Sequence, residues 1–240
     1  MEQEQRLVAM GKMAATLAHE IRNPLGSMEL FCSLLEQDLV DKPELLSNAQ
    51  QIHKGIKTVN HIITNCLQFA KGMIVRKEPV TDVREYLQGV LDILKKKIED
   101  SEIEVTVKIL DTTCEERRQS LLSIDHYQIK QVLVNLLSNA IDAVNERYSH
   151  DDFKVVKKIS LVSDLQDSQF WILSIIDNGV GINDEVKENM FDPFYTTKNE
   201  GTGLGLAIVG SIILAHGGHI NIENNSNELG CRATIKLLRN

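Results

Sequence analysis

The chain has 240 residues, 42% hydrophobic and 25% charged, an ordinary globular mixture that argues against bulk disorder and allows one large domain or two modest ones. Lys and Arg number 26 against 34 Asp and Glu, a net charge of −8, which argues against a DNA backbone as the main partner while leaving room for a local basic patch. No apolar run approaches the roughly 18–20 residues of a bilayer span, and no apolar stretch with a cleavage site follows the polar start Met1–Arg6. Cys32, Cys66, Cys114 and Cys231 stand singly, with no Cys-x-x-Cys pair, so free thiols in a reducing cytoplasm are expected rather than a zinc site or disulfide framework.

The first 75 residues carry a helical period. Apolar or small residues fall at Leu7, Met10, Ala14, Leu17 and Ile21, then at Leu25, Met28, Cys32, Leu35 and Leu39. Pro24 interrupts between these runs and predicts a kink. A second stripe runs through Leu45, Ala49, Ile52, Ile56, Val59, Ile63, Cys66, Ala70 and Met73. Between the stripes Asp41-Lys42-Pro43-Glu44 reads as a capping box with Asp41 at the N-cap. A lone hairpin of two such helices buries too little apolar surface, so a second copy completing a four-helix bundle is expected, making a homodimer.

From Glu78 the pattern becomes mixed. Tyr86, Leu87, Val90, Leu91, Leu94 and Ile98 form a helical stripe, and Ile103, Val105, Val107 and Ile109 alternate as in a half-buried strand. A helix over about Tyr127–Glu146 follows, then strands near Ile159–Ser163 and Phe170–Ile176. A Gly-rich stretch opens a helix at about Leu204–Ala215, and strands near His219–Glu223 and Cys231–Leu237 close the chain. Strands and helices without a regular βαβ repeat predict an α+β two-layer sandwich. The boundary falls in Gly72–Pro79, giving a helical hairpin over 1–75 and the sandwich over 76–240.

His19 lies two residues from both Leu17 and Ile21, about 200° around the helical wheel from each, so it faces away from the buried stripe. It sits in Ala18-His19-Glu20-Ile21-Arg22-Asn23-Pro24-Leu25. An imidazole that is largely neutral near pH 7 can attack a phosphoryl group through one ring nitrogen, and the adjoining carboxylate of Glu20 can hold the proton on the other. The bland alternative is a solvated charged face on which the histidine is incidental. The intact His-Glu-x-x-Asn-Pro pattern resembles the H-box of sensor histidine kinases. That resemblance implies that His19 accepts phosphate, with Glu20 as base or orienting group. It further implies that Asn23, one turn on, orients water to dephosphorylate a partner regulator.

Three segments of the second half point to a phosphoryl donor. Asn135 and Asn139 are four apart on one helical face, and an amide oxygen suits Mg²⁺, with Asn139 as the metal candidate. Asp177-Asn178-Gly179-Val180-Gly181 follows an apolar strand, where a carboxylate can accept from the exocyclic amine of adenine and the glycines admit backbone close to the ring. Gly201-Thr202-Gly203-Leu204-Gly205 precedes a helix whose N-terminus can hold phosphates. It is neither a Walker A loop nor a Rossmann fingerprint, since no Gly-Lys-Ser/Thr follows and no strand leads into it. Phe191-Asp192-Pro193-Phe194-Tyr195-Thr196-Thr197-Lys198 lies just upstream, its aromatics expected to anchor a lid over ATP and Lys198 within reach of a phosphate.

In order and spacing these segments resemble the N, first glycine, F and second glycine boxes of the Bergerat (GHKL) ATP-binding fold, and the match runs from about Leu7 to Leu238. The resemblance implies a dimeric two-component histidine kinase core. Its expected ligands are ATP and Mg²⁺, and Thr234 joins its expected cofactor-binding residues. The phosphoryl group would pass from His19 to an aspartate of a response regulator receiver domain. The form Asn23-Pro24-Leu25 with Asn139-Ala140-Ile141-Asp142-Ala143 leans towards the nitrogen-regulator-like branch. One departure stands out: three residues after Asn139 many histidine kinases carry a basic residue, and here the position holds Asp142, with Lys198 as the candidate to compensate. No sensor-sized segment precedes His19, so an upstream sensor domain or a partner protein is expected to bring the signal. A clamp-type ATPase relative leaves His19-Glu20 and the heptads unexplained, and a serine kinase sharing the pocket would not need the hairpin. A degenerate scaffold is opposed by the complete set of glycines and asparagines.

Overall fold

A computed structural model of the chain describes residue 21 and residues 23–70, 74–110, 122–148, 156–167, 169–198, 201–226 and 229–239, with residues 61–70 described in their backbone alone. It divides into two units, Met1–Met73 and Ile74–Asn240. His19 and Glu20, and the stripe positions before Ile21, lie outside the described residues.

In the first unit residues 23–38 form helix α1, with Pro24 inside the helical run, and Pro43–Ala70 form α2. The cap expected at Asp41 moves by one residue. The Lys42 carbonyl accepts the first intrahelical bond, from Leu46 N at 2.9 Å, so Lys42 is the N-cap and Pro43 takes the first helical position. Proline is favoured there because its missing N–H would have no partner in any case. Leu25, Cys32 and Ile56 form the buried seam between the helices, and Ala49 is buried as well. His53 Nδ1 lies 2.8 Å from Glu36 Oε1, tying α2 to α1 across the polar edge. The other half of the stripe stays open: Met28 is 51% exposed, Leu35 48%, Leu45 50% and Ile52 58%.

The second unit is a mixed five-stranded sheet with helices packed on it. Strand β1 (Glu78–Pro79) pairs with β3 (Ser123–Ile124) as a short antiparallel ribbon. Helix α3 is Val83–Asp100, capped by Asp82, whose carboxylate accepts from Arg84 N and Glu85 N. The sheet comprises β2 (Glu104–Leu110), β4 (Lys158–Asp164), β5 (Phe170–Asp177), β6 (His219–Asn224) and β7 (Cys231–Leu238) in the order β2-β4-β5-β7-β6. β2 and β4 run parallel, and every other pairing is antiparallel. Helices α4 (His126–Arg147) and α6 (Gly205–Ala215) lie against the sheet and each other, α3 packs on α4, and α5 (Asp184–Asn189) is a short turn of helix after β5.

The expected α+β two-layer sandwich is therefore present, and its long elements fall within one or two residues of the sequence periodicities. The ribbon β1–β3 and helix α5 are too short to show a period. Ile129, Val132, Leu133, Leu136, Leu137, Ala140, Ile141 and Val144 make the buried stripe of α4, meeting Ile159, Leu161, Trp171, Leu173 and Ile175 on the inner face of the sheet. At the far end of α4, Asp125 N donates to His216 Nε2, and the His216 Nδ1–H donates to Ile212 O. This buried neutral imidazole joins the start of α4 to the end of α6. Among the described residues no helix is long and apolar enough to cross a membrane.

Trp171 is fully buried, and its indole Nε1–H donates to Ser163 Oγ at 2.8 Å. A Ser163→Ala variant strands that donor in the core and is expected to lose about 1–3 kcal/mol of stability. Chemical denaturation of the second unit's tryptophan signal measures the loss.

Candidate functional site

Asp177 ends β5 with its side chain buried among the sheet, α4 and the β6–β7 turn. Its Oδ1 accepts from Gly179 N at 2.8 Å and from Cys231 N at 3.2 Å. Among the described residues no donor reaches Oδ2, which leaves one carboxylate oxygen for an outside donor. Burial raises its pKa above the ordinary carboxylate range, against the opposing pull of the two amides. The turn after it is held tightly. Asn178 Oδ1 accepts from Lys158 N, its Nδ2 donates to Val156 O, and Arg147 Nη1 donates to Asn178 O at 2.6 Å. Val180 N donates to Ala143 O, and a Cβ at Gly179 would lie 2.7 Å from the Ala143 backbone, so only glycine lets this turn lie on α4. Gly181 sits at φ +80°, next to Asn224, whose side chain exchanges hydrogen bonds with both Ile182 N and Ile182 O.

The outer face of α4 carries Asn135, Asn139 and Asp142, at spacings of four and three. Lys198 Nζ donates to Asn139 Oδ1 at 2.9 Å and to Asp142 Oδ2 at 2.7 Å. Lys97, from the last turn of α3, donates to Asp142 Oδ1 at 2.7 Å and to Ser138 Oγ at 2.7 Å. Burial pushes the Asp142 carboxyl up, but the bonds from Lys198 and Lys97 outweigh it and hold the group below the ordinary range. The acidic departure at Asp142 is thus ringed by two ammonium groups. The amide oxygen of Asn139, which already attracts one cation, is of the hard neutral type that suits Mg²⁺.

Helix α6 begins at Gly205 with no side-chain cap, so its first amides remain available to an anion. A Cβ at Gly205 would be 4.0 Å from the Asn135 side chain, which places this helix end beside the α4 face. Gly203 has φ +67°, and a Cβ there would collide with the Phe194 backbone. Phe194 N donates to Gly203 O at 3.0 Å, so the two segments are stitched through their main chains. The aromatics of this segment, expected to anchor one end of a lid, are placed differently from one another. Phe191 lies against α6 at Gly210, whereas Phe194 is 66% exposed and holds a left-handed φ of 71°.

The structure brings together Asn135, Asn139, Lys198 and Gly203–Gly205 around the half-buried face of α4, with Asp177, Gly179 and Gly181 at that helix's C-terminal end. Gly201 follows Lys198 through a backbone bond, and Thr202 Oγ1 accepts from Leu204 N at the long distance of 3.4 Å. Thr234 is not brought in. It pairs with Ser174 and its hydroxyl meets the Ser174 hydroxyl, so strand alternation puts it on the face opposite Asp177. Cys231 stands beside Asp177 instead, its thiol pushed up to about 12 by burial and by the Asp177 charge. Asn23 is exposed on α1, in the other unit. Sequence reasoning missed Cys231 and Lys97. It also missed Gly230, whose φ of +116° and approach to the Asp177 main chain exclude any side chain. A Gly beside a single Cys in a hairpin carries no recognisable spacing, and Lys97 falls in a helix with no motif.

Two family models match the chain: a His Kinase A (phospho-acceptor) domain over residues 9–73, and the histidine kinase-, DNA gyrase B-, and HSP90-like ATPase over residues 124–240. The signal transduction histidine-protein kinase AtoS of Escherichia coli (strain K12) is 32% identical over 93% of this chain and 34% of its own length. The chain spans less than half of the lengths of curated relatives such as AtoS (34%), the sensor histidine kinase ZraS (45–48%) and sporulation kinase E (28%). The nucleotide-free catalytic domain of histidine kinase ThkA is 30% identical, with a TM-score of 0.53 over 69% of this chain and 96% of that one. ThkA in complex with the response regulator protein TrrA is 27% identical, with a TM-score of 0.66 over 99% of this chain and 64% of that one.

The raised pKa of Asp177 has a stability consequence. A folded value above the unfolded one makes the native state bind protons more readily, so this group's contribution weakens as pH rises through that window. Asp177→Asn, which keeps an oxygen for the two amides, is expected to match or exceed the wild-type melting temperature at pH 7. Its advantage shrinks as pH falls from 7 into the carboxylate range, because the native Asp177 takes up its proton more readily than the unfolded one. Melting curves across this pH range check the sign.

Proposed function

Because the chain belongs to the histidine kinase family, we propose that it transfers the γ-phosphoryl group of ATP to His19 and from there to an aspartate of a response regulator receiver domain. The observation that carries this reading is the pairing of two matches: the phospho-acceptor match contains His19, and the ATPase match contains the Asp177 pocket.

The residues fit the donor. The open Oδ2 of Asp177 accepts the exocyclic amine of adenine, and Gly179 and Gly181 line the turn beside it. The uncapped N-terminus of α6, following Gly201, Thr202, Gly203 and Leu204, receives phosphate oxygens, with Asn135 alongside. Asn139 would hold Mg²⁺, which would neutralise phosphate charge, and Lys198 would turn from Asn139 to a phosphate. A ring nitrogen of His19 bonds to the γ-phosphorus as the bridging P–O bond to ADP breaks, and Glu20 takes or holds the proton on the other nitrogen. Catalysis of this kind rests on positioning and charge, which agrees with a site that contains few reactive groups.

The open apolar stripe of α1 and α2, including Met28, Leu35, Leu45 and Ile52, supports a second copy completing a four-helix bundle. The likeness to ThkA bound to TrrA supports a receiver domain as the phosphoryl acceptor. Asn23, exposed on α1 and four residues after His19 in the sequence, supports a regulator phosphatase activity through an oriented water.

Incubation with Mg²⁺ and γ-labelled ATP is expected to give acid-labile label that disappears in His19→Gln and in Asp177→Asn. Acid-stable label persisting in His19→Gln would overturn the mechanism. Asn23→Ala is expected to keep the label on His19 while losing dephosphorylation of a receiver, measured by phosphate release.

A further inference from the structure

In many histidine kinases the position three residues after the second asparagine of the α4 face is basic, and Asp142 inverts that charge. A bare carboxylate one turn from Asn139 would repel a polyphosphate and would also hold Lys198 away from it. The described structure places two cations on that one carboxylate. Lys198 bonds Oδ2 and Lys97 bonds Oδ1, each at 2.7 Å, and Lys97 is fixed further by Ser138 Oγ at 2.7 Å. Lys97 belongs to α3, outside every nucleotide-binding motif in the chain, and it bonds the carboxylate oxygen of Asp142 that Lys198 does not. The cluster sums to one net positive charge, the same as a single basic residue at that position. With Lys97 in place, Lys198 can leave Asp142 without stranding the carboxylate.

Resting on the pocket reading above, we propose that Lys97 is a positioning residue of the nucleotide site: it neutralises Asp142 and so releases Lys198 to the phosphates of the bound nucleotide. Loss of Lys97 then acts twice, by exposing a negative charge beside the phosphates and by keeping Lys198 on Asp142. Removing the Asp142 charge abolishes the need for Lys97. A purely structural tie between α3 and α4 would behave in the opposite way, since losing either partner would cost the same bond.

The test is titration of the full chain with Mg²⁺·ADP and with a non-hydrolysable ATP analogue, at low and high salt. Wild type, Lys97→Met, Asp142→Asn, the double variant and Asp177→Asn are compared, with a melting curve for each. Lys97→Met is expected to weaken binding of the ATP analogue by about 3- to 10-fold, the range of one partly exposed charge contact, and more at low salt than at high. Asp142→Asn is expected to bind at least as tightly as wild type, and the double variant to recover wild-type affinity. Unchanged affinity in Lys97→Met overturns the inference, as does weakened binding in Asp142→Asn or a double variant no tighter than Lys97→Met. In each of those cases wild-type binding that is lost in Asp177→Asn leaves the pocket reading standing. A wild-type chain that binds neither nucleotide overturns the pocket reading and this inference together.

Discussion

Asp177 is a carboxylate removed from water at the end of a sheet strand, and the geometry of the second unit is arranged to tolerate it. Desolvating such a group is costly unless its oxygens are satisfied. Two backbone amides, from Gly179 and Cys231, converge on Oδ1. For both to arrive, the turn after β5 must lie directly on α4 and the β6–β7 turn must fold over the Asp177 main chain. Gly179 against Ala143 and Gly230 against Asp177 are the two approaches that admit no side chain. The second oxygen accepts no hydrogen bond from the described residues, and the proposed contact to an adenine amine rests on that.

Helix α4 couples that acid to the charged end of the site. Its inner stripe from Ile129 to Val144 is core, so its rotation about its own axis is set by packing on β4 and β5. Asn135, Asn139 and Asp142 then have one place to be, along the edge where α6 begins and Lys198 arrives. The His216 bridge between Asp125 and Ile212 fixes the other ends of α4 and α6 in the same way. The pocket is thus a consequence of how two helices lie on one sheet, with loops supplying the glycines and the lysine.

The helical hairpin obeys a different constraint. Two helices can bury one seam between them, here Leu25, Cys32 and Ile56, and a stripe that is wider than one seam leaves apolar residues outside. A heptad pattern sustained on both helices therefore specifies more burial than the hairpin alone provides.

The order of the long elements, the boundary region between the two patterns, and the chemical type of each site residue are contained in the amino-acid sequence, because period and motif are local properties. Asn135 and Asn139 share a face through helix geometry alone, and Asp177 ends a strand because its apolar run stops there. What the sequence leaves open is anything that depends on which atoms from distant segments meet. Strand register decided that Cys231, not Thr234, stands beside Asp177, since a shift of one residue along β7 exchanges the faces. Packing of α3 on α4 decided that Lys97 answers the charge at Asp142 from 45 residues away. The Phe194 backbone, not its ring, holds Gly203, because a main-chain contact has no signature in side-chain type. Local periodicity determined the parts of this protein, and only tertiary contact, through register and charge pairing across the chain, decided how they make a site.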